Sequence, residues 1–85
     1  MKSKESEWYV YMIRCSDASL YTGITTDVER RFAEHAAHKG AKYFWARSPE
    51  EIVYVEGGHT RSSASQREAA VKKLSRPEKL ALTQS

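Results

Sequence analysis

The chain has 85 residues, of which 40% are hydrophobic, 11% aromatic and 29% charged, with a formal net charge of +3. That length holds one small domain with a modest core and excludes a second domain, and the mild positive charge permits a polyanionic partner without demanding one. A single cysteine, Cys15, excludes an internal disulfide framework and a cysteine-based zinc site, which suits a reducing cytoplasm.

Residues 1–7 are polar and charged and are expected to form a disordered tail, with the domain running over residues 8–83. The polar start argues against a signal peptide, and no apolar run is long enough to span a membrane. Trp8 to Cys15 predicts a strand, rich in aromatic and branched residues. Alternation places Trp8, Val10 and Met12 on one face and Tyr9, Tyr11 and Ile13 on the other. Both faces are apolar, so this strand should be central and covered on both sides. Cys15 at its end reads as a small buried hydrophobe. Ser16-Asp17-Ala18-Ser19 is turn chemistry, and Leu20 to Ile24 should return as the second strand of a hairpin, bringing Tyr21 near Tyr11.

A capped helix follows. Thr26 or Asp27 can accept from its first free N–H groups, Glu29 adds negative charge near its positive end, and Val28, Phe32 and Ala36 form its predicted buried stripe. At about 100° per residue, Arg31 and His35 stack beside that stripe while Arg30 lies further round. Gly40 is expected to stop this helix. Tyr43-Phe44-Trp45 follows, flanked by Lys42 and Arg47, and Ser48-Pro49 breaks the chain. Glu51 to Glu56 predicts a third strand ended by Gly57-Gly58. A second helix starts near Arg61 or Ser63 and runs to Leu74, with a Ser63–Gln66 capping box or Thr60 as the alternative start. Its stripe joins Ala64, Val71 and Leu74, and Glu68 falls on it, where an unpaired buried carboxylate would be costly. Ser75-Arg76-Pro77-Glu78 is another capping box opening a last short helix with Leu80 and Leu82. The expected architecture is α/β of the α+β kind: a three-stranded antiparallel sheet flanked by helices, in the order β-β-α-β-α-α.

The strand tyrosines, the helix pair Arg31 and His35, and Glu68 each have a plain structural reading. Tyrosines pack and hydrogen-bond, Arg31 is a solvated helix charge or a partner for Asp27, Glu68 pairs with Lys72, and His35 is a satisfied edge histidine. Independent structural roles rarely select one joint spacing, however, and together these residues mark a common site for a phosphate. His35 and His38, with His59 distant and no nearby acidic ligand, make a poor zinc site. Lys39, Lys42, Arg47, Arg61 and Arg67 are candidates for a phosphate-tracking surface, with Tyr43, Phe44 or Trp45 offering a stacking face or packing the loop onto the sheet.

Tyr9-Val10-Tyr11, Tyr21-Thr22-Gly23, Arg31, His35 and Glu68, in that order and spacing, resemble the motifs of the GIY-YIG nuclease superfamily, in particular its small stand-alone members. Tyr9 stands in place of the first glycine and Thr22 in place of the second isoleucine, while both tyrosines and Gly23 are kept. The resemblance extends from Trp8 to Leu82. It implies a divalent-metal-dependent endonuclease that hydrolyses phosphodiester bonds in DNA, structured or damaged DNA included. The same resemblance implies one Mg²⁺ or Mn²⁺ at Glu68, and catalytic roles for Tyr11, Tyr21, Arg31 and His35. These 85 residues are not expected to hold a separate DNA-recognition domain, which leaves room for a protein partner that supplies substrate recognition. The alternative is a nucleic-acid-binding module of the same fold that cleaves weakly or needs a partner, and a third class is a protein-interaction domain.

Overall fold

The computed structural model describes residues 7–37 and 42–84. In chain order it contains β1 (Trp8–Cys15), β2 (Leu20–Thr25), α1 (Val28–Ala36), a 3-10 turn (Lys42–Trp45), β3 (Pro49–His59), α2 (Arg61–Lys72) and α3 (Arg76–Thr83). The three strands form one antiparallel sheet in the order β2-β1-β3, so the most apolar strand is the central one, as its two-faced pattern requires. Val10, Tyr11, Met12 and Ile13 are all essentially inaccessible. Consecutive strand residues point to opposite faces, so both faces of β1 are covered. On one face Tyr11, Ile13 and Cys15 pack with Phe44, joined by Tyr21, Val28, Phe32, Tyr43 and Ile52. Cys15 is a free, buried thiol, in keeping with its reading as a small hydrophobe.

The hairpin register sets Tyr11 opposite Gly23 and Ile13 opposite Tyr21. Tyr11 and Tyr21 are thus diagonal neighbours on one face, a separation that aromatic side chains span. In the connecting turn Asp17 accepts from the Ser19 backbone N–H at 3.1 Å and from its hydroxyl at 2.6 Å, which holds Ala18 at a φ of 68°.

β3 is longer than its apolar run suggests. Gly57 and Gly58 were expected to end it, yet the strand continues to His59. Between the pairs Trp8–His59 and Val10–Glu56, β1 supplies one residue and β3 two, so the glycines make a bulge inside the strand. Gly58, at a φ of 78°, takes the left-handed conformation that such a bulge asks of glycine. Its N–H donates to Glu7 at 2.7 Å, so the last residue of the expected tail is tied to the sheet. Residues 1–6 lie outside the described residues.

α1 is capped by Asp27, which accepts from the Arg30 N–H, and closes at Ala37. Gly40, the expected stop, lies outside the described residues. Within α1 the buried residue is His35, whereas Ala36, assigned to the buried stripe, is exposed. α2 starts from Thr60 in a reciprocal capping box with Ser63, so Ser63 serves as the third helical residue rather than as the cap paired with Gln66. α3 has the expected Ser75–Glu78 box with Pro77 in its first turn. Among the described residues no helix is long and apolar enough to cross a membrane.

Candidate active site

The site begins with a glycine that has to be a glycine. An ideal Cβ on Gly23 would stand 2.5 Å from the Tyr11 hydroxyl oxygen and 2.7 Å from its Cζ, closer than any real side chain is tolerated. The missing side chain lets the Tyr11 ring lie across β2 with its hydroxyl reaching toward α1. There it meets His35, whose Nε2 is 2.9 Å away. His35 projects from the last turn of α1 and is 1% exposed.

Rings surround this hydrogen bond. Tyr21 stands edge-on to His35 at 5.2 Å and 6.2 Å from Tyr11. Phe44, fully buried, lies 4.3 Å from the His35 ring and 4.8 Å from Tyr21. Tyr43 closes the other side of Tyr21 at 5.0 Å. The three consecutive aromatics therefore divide their work: Phe44 and Tyr43 pack the site, and Trp45 faces outward.

This packing sets the protonation states. Burial, reinforced by the nearby Arg31 charge, lowers the His35 pKa from 6.5 to about 4, so the ring is neutral at pH 7. Its Nδ1 has no hydrogen-bond partner. Leaving a bare nitrogen unpaired costs less than burying an orphaned N–H. The favoured tautomer therefore carries its proton on Nε2 and donates to the Tyr11 oxygen. Burial pushes the Tyr11 phenol up, and Tyr21 adds to this, while the Arg31 guanidinium beside it pulls down. Tyr21 is likewise raised, first by burial, with Lys72 and Arg31 opposing and Glu68 adding to the rise. Tyr11 is 1% exposed, whereas Tyr21 is only half-buried, so Tyr21 is the phenol that a substrate can reach.

Arg31 leans toward this cluster, and its NH1 donates to Glu34 at 2.9 Å. Arg30, on the next residue, is 62% exposed, with Nε 3.9 Å from the same Glu34. Glu34 was missed in the sequence, although its spacing of three from Arg31 is the signal that could have found it. Glu68 projects from α2 within electrostatic reach of both tyrosines and sits 3.3 Å from Lys72, its partner in the plain reading. That pair is partly solvated, Lys72 being more than half exposed, so it adds little stability and yields readily.

The predicted site residues Tyr11, Tyr21, Arg31 and His35 thus meet, with Glu68 on their flank. The four described residues of the predicted basic surface, Lys42, Arg47, Arg61 and Arg67, are each engaged separately. Arg47 is held by Asp17 at 2.8 Å and lies over the Tyr43 ring at 4.2 Å, bracing the 3-10 turn against the hairpin. Arg67 donates to Glu56, which also accepts from Tyr54 and contacts His59 at 2.6 Å. Arg61 lies 5.6 Å from the Trp8 ring and Lys42 5.7 Å from the Trp45 ring. Lys39 and His38 lie outside the described residues. A separate cleft of about 450 Å³ is lined by Tyr9, Val28, Ile52 and Val55 together with Asp27 and Glu29 at the start of α1. Its carboxylates repel a polyanion, and none of the tyrosine–histidine cluster opens into it.

The family model of the GIY-YIG catalytic domain matches residues 7–81. This chain belongs to the GIY-YIG family. A UPF0213 protein of Natronomonas pharaonis is 51% identical over 74 residues, which cover 87% of each chain. A UPF0213 protein of Cupriavidus pinatubonensis is 46% identical over 79 residues, covering 93% of this chain and 88% of that one. The solution structure of the UPF0213 protein from Bacillus halodurans superposes with a TM-score of 0.59 at 43% identity, covering 93% of this chain and 84% of that one. An Enterococcus faecalis structure gives 0.60 at 40% identity, with 92% and 83% covered. Membership of this family implies activity of the nuclease type.

Proposed function

We propose that the protein is an endonuclease that hydrolyses phosphodiester bonds in DNA, branched or damaged DNA in particular, with one divalent cation. The observation that carries this reading is the convergence of Tyr11, Tyr21, Arg31 and His35 in a packed cluster beside the Glu68 carboxylate.

The donor chemistry fits a hard cation. Among the described residues no three histidine, cysteine, aspartate or glutamate side chains group together, and Glu68 is the carboxylate beside the cluster. A lone carboxylate suits Mg²⁺ or Mn²⁺, which keep most of their shell in water and phosphate oxygens. Held at Glu68, such a cation would offset phosphate charge and favour the phenolate of the neighbouring tyrosine.

The remaining roles belong to the side chains of the cluster. Ionised to its phenolate, Tyr21 would take a proton from the attacking water while the water oxygen bonds to phosphorus and the phosphorus–leaving-oxygen bond breaks, the leaving oxygen taking a proton from solvent. Tyr11, fixed by His35 and facing Arg31, holds Tyr21 in place and supports negative charge on it. Arg31 gives one donor to Glu34 and keeps others for the scissile phosphate, where its planar fork can bind two oxygens. His35, neutral at pH 7, acts by orientation rather than by charge.

The Glu68–Lys72 pair favours one rival, a module that binds nucleic acid and cleaves weakly or only with a protein partner that completes recognition. Supercoiled DNA decides between them. Nicking with Mg²⁺ or Mn²⁺, abolished by EDTA, is expected for the endonuclease. Retention of DNA without nicking under any divalent cation would favour the rival.

A further inference from the structure

Trp45 is 65% exposed, more than Val55 or Leu80, the other exposed large hydrophobics among the described residues. A lone exposed side chain of this kind needs no explanation by itself. Three further observations give this one a direction. It follows Phe44 in the 3-10 turn, so the same turn that holds Phe44 4.3 Å from His35 leaves the next residue, Trp45, exposed close to the cluster. In a 3-10 turn residues three apart eclipse, which brings Lys42 over the indole at 5.7 Å. Finally, among the described residues no carboxylate pairs with Lys42, whereas Arg47, two residues beyond Trp45, is taken by Asp17.

An exposed indole with an uncompensated ammonium beside it complements a nucleobase followed by its phosphate. The π-face of a base is available only outside a duplex, since in a helix both faces are stacked on neighbours. The acidic cleft at the start of α1 offers no such complement. We propose that Trp45 and Lys42 form a stacking station for one unpaired nucleotide next to the scissile phosphate, so that the substrate is DNA with a single-stranded or splayed segment at the cut. This rests on the nuclease reading for the position of the cut, while the stacking itself does not.

The test is therefore run in EDTA, where no cleavage occurs. The chain has two tryptophans, so Trp8→Phe leaves Trp45 as the sole indole reporter. A short single-stranded oligodeoxynucleotide should quench its fluorescence. The same strand in a blunt duplex, or carrying abasic sites with all phosphates kept, should not. In fluorescence anisotropy with a labelled single strand, Trp45→Ala in the otherwise native chain should weaken binding by roughly 5- to 150-fold. Its duplex affinity should be unchanged, and Trp45→Phe should restore much of the loss. Equal quenching by duplex or abasic strand, or unaltered single-strand affinity in Trp45→Ala, overturns the proposal. So does a concentration-dependent dimer that Trp45→Ala dissolves, since Trp45 would then be covered by a second copy. Stacking found without nicking under any divalent cation would defeat the nuclease reading alone, and nicking indifferent to Trp45 would defeat the stacking alone.

Discussion

Gly23 and His35 carry the most sharply defined physics of the site. The ring that Gly23 admits is buried and pinned at its hydroxyl, so a methyl group there has nowhere to go without displacing Tyr11. Gly23→Ala should cost about 1–3 kcal/mol in urea unfolding, as overpacking does, and should also suppress nicking. Unchanged stability and activity would show that the Tyr11 ring has another position open to it. His35 gives a pH dependence whose sign is fixed. Its folded pKa of about 4 lies below the ordinary 6.5, so between those values the unfolded chain holds more protons than the native one. Its contribution is complete above about pH 6.5 and is lost as the pH falls toward 4. At about 1.4 kcal/mol per unit, the loss is on the order of 3 kcal/mol. Asp17, held down to about 2 by hydrogen bonds from Ser19 and Arg47, titrates beneath that window. Stability measured by urea across this range should flatten in His35→Gln. An unaltered slope would place the titrating group elsewhere.

α1 is the element that gives two adjacent arginines different surroundings, and the proposed catalytic role falls to Arg31 alone. Arg30 and Arg31 share Glu34, but Arg31 faces Tyr11 and Arg30 faces solvent. Under single-turnover conditions with saturating enzyme, Arg31→Ala should lower the rate about 10²- to 10³-fold, the loss typical of a preorganised donor to developing charge. Arg31→Lys should recover little of it, because the fork is gone, and Arg30→Ala should be nearly silent. Equal losses would make α1 a generic basic surface. At this scale the sequence also shows its limits. Strand and helix identities follow from period and capping, and β1 reads as central because both its faces are apolar. The bulge at Gly57-Gly58 was unreadable, since a glycine pair signals a strand's end and a bulge equally well. The burial of His35 in place of Ala36 depends on Phe44, which arrives from a distant turn and leaves no mark on the helix's own pattern.

At the scale of the whole molecule, the acidic cleft and the tyrosine cluster share Val28 and Ile52 but differ in the charge beside them. The cleft at the start of α1 is acidic and apolar, while Arg31, Lys42 and the exposed Trp45 lie on or beside the tyrosine cluster. The set Tyr11, Tyr21, Arg31, His35 and Glu68 was legible because a family resemblance and helical spacing agree on it. The basic surface was not, since whether an arginine is free or claimed by Asp17 or Glu56 is decided by strands and turns far apart in sequence. Among the described residues the fold has gathered a carboxylate paired with a partly solvated lysine, set against two phenols whose pKa burial raises. The most direct measurement is single-turnover cleavage of supercoiled DNA by Glu68→Gln in Mg²⁺, with circular dichroism and DNA retention as controls. The expected result is a folded, DNA-binding protein whose nicking falls to the level of the EDTA control. Undiminished nicking by Glu68→Gln would contradict the assignment of Glu68 as the metal-binding residue.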